Sequence, residues 1–127
     1  MSEIKFPYMR AEVIAALRSL ADPVHQRSRW GVVEEGVNYY DDLDLNVHIL
    51  YDDTQVLPDP ESAVPNLLYD SEVSALLAVN AVLGQMIQQL GDQPDSEYLA
   101  DSRWPAVVEA AIEALSIMET NDGIESG

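Results

Sequence analysis

Asp44, His48 and Asp52 stand four residues apart, so on a helix their side chains share one face. Carboxylate, imidazole and carboxylate at that spacing could bind a transition metal and support a small metal-dependent enzyme. The same segment offers a calcium alternative. Asp42, Asp44 and Asn46 fall at the first, third and fifth positions of a calcium loop, and Asp53 falls at the twelfth. That loop needs a sharp turn at its sixth position, which glycine supplies, and Val47 is there. Its last ligand is normally a longer Glu. An acidic, capped element explains these residues better than a metal loop does. Glycine patterns for a nucleophile elbow or a phosphate loop are absent. Carboxylate pairs carry no specificity in a chain with 23 acidic residues. No catalytic residue and no cofactor is expected.

A different pattern suits binding. Tyr40-Asp41-Asp42 recurs eleven residues later as Tyr51-Asp52-Asp53. Three helical turns take nearly eleven residues, so on one helix both copies would face the same way. Aromatic rings supply area that can be buried against a partner, and carboxylates steer and pair with Lys and Arg. Tyr40, Asp41, Asp42, Tyr51, Asp52 and Asp53 are therefore the expected partner-binding residues. The competing reading packs the tyrosines in the core and uses the aspartates as helix caps.

These residues must be carried by a helical frame. Pro7 can open a helix, because a first-turn proline forfeits no hydrogen bond. Met9, Val13, Ala16, Leu17 and Leu20 follow at spacings of three and four, and Asp22-Pro23 ends the run. The polar stretch 25–29 and the segment 31–38 read as connections. Residues 43–51 are ambiguous. Alternation of Leu43, Leu45, Val47, Ile49 and Tyr51, broken only by Leu50, predicts a short strand, whereas Leu43, Val47 and Leu50 behind an Asp cap predict a helix. Pro58, Pro60 and Pro65 punctuate an irregular link. A helix from about Asp70 to Gly91 carries Val73, Leu76, Leu77, Leu83, Met86, Ile87 and Leu90 on a wide apolar stripe. Gly84 inside it suggests a close helix contact. The last helix, from about 102 to 118, buries Trp104, Val107, Val108, Ala111, Ile112, Leu115 and Met118. The expectation is an all-α domain of four or five helices over 1–118, with 119–127 a flexible tail. An α+β fold with a strand or hairpin near 43–51 is the alternative.

Composition bounds the function. The 127 residues carry 23 Asp and Glu against six Lys and Arg, a formal charge of −17, and no Cys. Disulfide and thiolate chemistry are excluded. Nucleic acid and anionic membrane would repel the chain. No signal peptide is recognisable, and no apolar run is read as long enough to span a bilayer, so a cytoplasmic location is expected. Five of the six basic residues precede Trp30. From Trp30 to Ser102 there are fifteen acidic residues and no Lys or Arg. The early arginines are expected to cover part of this acidic middle, and a basic protein is the expected partner for the rest.

The runs Tyr40–Asp44 and Val47–Thr54, with Glu97–Ala100 and Trp104–Ala111, resemble a family of small, uncharacterised acidic bacterial proteins common in actinobacteria. The likeness spans about Pro7 to Met118. It implies a mostly helical fold, with 41–53 helical, and no established activity or site. Small acidic proteins of this kind are similar in size and charge to immunity proteins that neutralise a toxin. A structural or oligomeric protein, charged for solubility alone, is the further alternative.

Overall fold

A computed structural model describes residues 4–31 and 41–123. Among them there is no strand, and six α-helices account for most of the chain: α1 Pro7–Leu20, α2 Pro23–Arg29, α3 Leu43–His48, α4 Val73–Leu90, α5 Asp95–Ala100 and α6 Trp104–Asn121. The expectation of an all-α fold holds, and the strand at 43–51 does not form. Asp42 caps α3 instead, accepting a hydrogen bond from the Leu45 N–H at 2.7 Å. Leu43 and Leu50 are buried while Leu45 is exposed, which is the helical assignment of the apolar residues. The helix count rises above four or five because of α2 and α5. Asp22-Pro23, which stops α1, also starts α2: Asp22 accepts from the His25 N–H at 3.1 Å, and Pro23 is the first helical residue.

The long helices make the frame. α6 packs against both α1 and α4, and α3 lies on α1. Leu17, Leu20, Leu50, Leu57, Leu68, Leu76, Leu83, Met86 and Met118 are completely covered. Each such side chain removed from water contributes roughly 1.5–3 kcal/mol. Two expected core residues are not in it. Leu77 on α4 and Ile112 on α6 are 45% and 50% exposed. The link before α4 is irregular, with 3-10 turns at Pro60–Ala63 and Asp70–Glu72. Asp70 lies within the second of these turns and does not cap α4.

Gly91 ends α4 at φ 59°, and its N–H bonds the Ile87 carbonyl at 2.9 Å. Gly84 makes no room for a neighbouring helix. A Cβ there would sit 2.8 Å from Asn80 Oδ1 and 3.4 Å from Tyr51 Oη, so the glycine clears space for the Tyr51–Asn80 hydrogen bond of 2.7 Å.

α6 continues beyond 118, where a tail was expected. Residues 119–122 are tied down by the N-terminal arginines. The Arg10 guanidinium donates to both Glu72 oxygens at 2.7 Å, to Asp122 at 3.1 Å and to the Leu67 carbonyl at 3.0 Å. It also lies 4.9 Å from the centre of the Tyr69 ring. Glu72 accepts further bonds from the Tyr69 N–H and from Asn121. Arg18 pairs with Glu119 at 2.7 Å. Thus one early arginine reaches the acidic middle and another holds the last helix. Residues 124–127 lie outside the described part.

α4 also corrects the reading of apolar runs. Asp70–Leu90, 21 residues that include an 18-residue stretch of mean hydropathy 1.4, is long and apolar enough to cross a bilayer by length and composition alone. Here Ala75, Leu76, Val79, Leu83 and Met86 of this helix are core residues.

Candidate functional site: an acidic cleft between α3 and α5

Two polar assemblies lie at the two ends of the segment that enters α3, and they differ in kind. The first is structural. Asp41 is 5% exposed. Its carboxylate accepts from Ser19 Oγ at 2.5 Å and Asn46 Nδ2 at 2.9 Å, and its Oδ2 lies 2.7 Å from His25 Nε2. Ser19 Oγ in turn accepts from Trp30 Nε1 at 2.8 Å. Gln26 donates to the Ser19 and Leu20 carbonyls that end α1, and accepts from Trp104 Nε1 at 2.9 Å. The two tryptophans meet edge to face, 5.8 Å apart. The Gly31 N–H bonds the Asp41 carbonyl at 2.9 Å. Every polar group here has a partner, so the assembly locks α1, α2, α3 and α6 together.

The second assembly opens to solvent. Asp95, the first residue of α5, accepts from the Leu43 N–H at 3.2 Å and so clasps the start of α3. Asp44 stands exposed in the first turn of α3, beside the capping Asp42. Gly91 turns the chain out of α4, and Asp92 follows on the rim. Between these carboxylates lies a cavity of about 300 Å3 lined by Leu43, Val47, Ile87 and Tyr98 as well as Asp44, Asp92 and Asp95. Tyr98 is buried and donates to the Gly91 carbonyl at 2.8 Å, fixing the turn. Burial pushes the Asp95 carboxyl above its usual range. The Leu43 N–H opposes this, and the nearby charges of Asp42, Asp44 and Asp41 add to it.

The expected binding residues divide. Tyr40 lies outside the described residues. Asp41 is buried, and its carboxylate is engaged inside the first assembly. Tyr51 is half-buried against α4, and burial pushes its phenol up to about 12. Asp42 is half-buried as a cap, while Asp52 and Asp53 are exposed. Among the described residues, Asp41 and Asp42 therefore share no face with Asp52 and Asp53. Asp41 and Asp42 precede α3, and Ile49–Asp53 form a π-helical turn, which is wider than an α turn. Asp92 and Asp95 were not anticipated. Their only sequence signal is the Gly-Asp-x-Pro-Asp run after α4, which marks a turn and a helix start.

The metal alternative also meets its geometry. His48 directs Nδ1 to Asp52 at 2.6 Å and Nε2 towards Asp44 at 3.7 Å. The carboxylates flank opposite ring nitrogens, whereas one ion can take only one of them. Among the described residues no group of three His, Cys, Asp or Glu side chains is arranged to hold a metal ion.

Residues 4–126 match the model of a family described as a domain of unknown function, DUF7945. No curated protein and no solved structure matches the chain.

Proposed function

The chain belongs to the DUF7945 family, and we propose that the cleft between α3 and α5 binds a basic segment of a partner protein. The observation that carries this reading is the convergence of Asp44, Asp92 and Asp95 over an apolar floor of Leu43, Val47 and Ile87. An Arg or Lys side chain has matching parts: an aliphatic stem for the floor and a cationic head for the rim. From Trp30 to Ser102 the sequence holds no Lys or Arg that could fill this role from the surrounding segment. Asp52 and Asp53, exposed on the π-helical turn, extend the negative field and favour fast, salt-sensitive association. The most specific form of the reading is an immunity-type role in the bacterial cytoplasm, in which the cleft covers the basic substrate-binding surface of a toxin such as a nuclease.

A six-residue arginine peptide is a sufficient first probe, measured by calorimetry in low salt. We expect binding that weakens steeply between 0.05 and 0.3 M NaCl and is lost in the Asp44→Asn/Asp95→Asn variant. The Glu109→Gln/Glu113→Gln variant removes the same charge from exposed positions of α6 and should bind as the wild type does. Equal losses in both variants would show attraction to net charge alone and would sink the cleft.

A further inference from the structure

The cleft gathers Asp44, Asp92 and Asp95, and α4 is its opposite. Its 18 residues contain no Asp, Glu, Lys or Arg, in a chain of formal charge −17. One side of the helix is core. The other leaves Ser74, Leu77, Ala78, Ala81, Gln85 and Gln88 exposed. We propose that this stripe is the contact through which a second copy of the chain binds, about a two-fold axis near Ala81.

Charge selects the occupant. Two copies repel each other wherever carboxylates face carboxylates, so a surface that carries none lets them approach at the least electrostatic cost. A basic partner gains nothing from α4, which offers it no carboxylate. The stripe is also self-complementary. Ser74 and Gln88 lie seven residues on either side of Ala81, and Leu77 and Gln85 lie four on either side. An antiparallel two-fold crossing therefore sets each Leu77 on the aliphatic stem of the partner copy's Gln85. Glutamine amides both donate and accept, so they pair with their own kind without opposite charge. Ala78 and Ala81 let the helices approach at the crossing. The stripe is about 21 Å long, from the rise of 1.5 Å per residue. One helix face of that length makes a small interface, so the dimer is weak.

Salt then acts in the opposite sense to its effect on a basic ligand. Screening removes repulsion between copies, and the Debye length falls from roughly 14 Å at 0.05 M to about 4 Å at 0.5 M. Sedimentation velocity at 0.2 mM chain should show the dimer fraction rising about threefold or more over that range. Ala81→Glu, a change at an exposed position, should abolish the rise while leaving the melting temperature unchanged. Because the chain has no Cys, Ala81→Cys supplies a single thiol, and mild oxidation should link it into a covalent dimer much faster than Ser116→Cys on α6. A monomer at every salt concentration would overturn the proposal, as would a dimer indifferent to Ala81→Glu or equal cross-linking at position 116. A monomer that pellets with neutral phosphatidylcholine vesicles would assign the stripe to a bilayer and overturn it equally. None of these outcomes depends on the cleft.

Discussion

Arg10 and Asp95 sit at the centres of two carboxylate clusters that the fold treats in opposite ways. Around Arg10, burial opposes ionisation of Glu72, but hydrogen bonds from Arg10, Asn121 and the Tyr69 N–H outweigh it and hold that carboxyl below its usual range. Burial likewise disfavours the Arg10 charge, and the bonds and charge of Glu72, then of Asp122, more than restore it. Around Asp95 no such compensation wins. Burial and three neighbouring aspartates outweigh one backbone N–H, and the carboxyl is held above its usual range. The first cluster uses its charges to fasten α1, α6 and the entry to α4. The second keeps charges together at a cost in stability, which the proposed binding of a cationic side chain would offset.

Breaking the first cluster should give the larger effect. Glu72→Gln leaves the Arg10 guanidinium buried with only Asp122 as an ionic partner. Removing one member of a buried pair costs about 3–5 kcal/mol, which for a domain of this size lowers the melting temperature by on the order of 10 °C or more. Thermal unfolding followed by circular dichroism checks it. The double variant Arg10→Met/Glu72→Gln removes the stranded charge and should recover part of the loss. A single variant as stable as the wild type would mean that the hub does not hold the fold.

Acid should expose the same asymmetry more gently. A carboxyl whose folded pKa is lowered stabilises the fold fully above its unfolded value, and that contribution is lost as pH falls through the folded value. Glu72 belongs to this class. So does Asp101, which hydrogen bonds from Arg103 hold at about 2. Melting temperature should therefore fall as pH drops from about 4.5 towards 2. Glu72→Gln should make this limb shallower, since the part that Glu72 supplies is already lost.

The frame was more legible in the sequence than the site. α1, α4 and α6 repeat their apolar residues for about three turns or more, long enough to fix both type and buried face. α2 and α5 have seven and six residues, too few for periodicity to show; the Asp22 cap marks the start of α2, and α5 follows Pro94 with no side-chain cap. In α3 the alternation of Leu43, Leu45 and Val47 fits both readings, and tertiary packing of Leu43 and Leu50 decides. Leu77 and Ile112 continue the expected stripes but fall on the outside, because periodicity marks an apolar arc without showing how much of it a neighbour covers. At the site, Asp42 and Asp44 were visible as acids beside a helix start. Their encounter with Asp95, 52 residues from Leu43 along the chain, depends on how α5 returns to α3, and no local pattern encodes that. Asp41 is buried in the polar assembly rather than exposed, and its sequence signature is that of any acid beside a helix start.

The smallest effect sharpens the comparison most, because its sign is opposite. Asp95→Asn keeps an oxygen to accept the Leu43 N–H while removing the charge that Asp42 and Asp44 repel. A group whose folded pKa is raised favours the fold when protonated and disfavours it when ionised, so the ionised carboxylate costs stability at pH 7. The variant should therefore melt higher than the wild type at pH 7, by roughly 1–3 °C. The gain should vanish below the usual carboxylate range, where the wild-type Asp95 is itself protonated. Arginine peptide should bind this stabilised variant more weakly, and that pairing of gain and loss separates a binding carboxylate from a structural one. Asp41→Asn provides the contrast: it replaces by an NH2 one of the two oxygens that serve Ser19, His25 and Asn46, so at least one of these contacts is lost, and it should lower stability at pH 7 without the compensating gain.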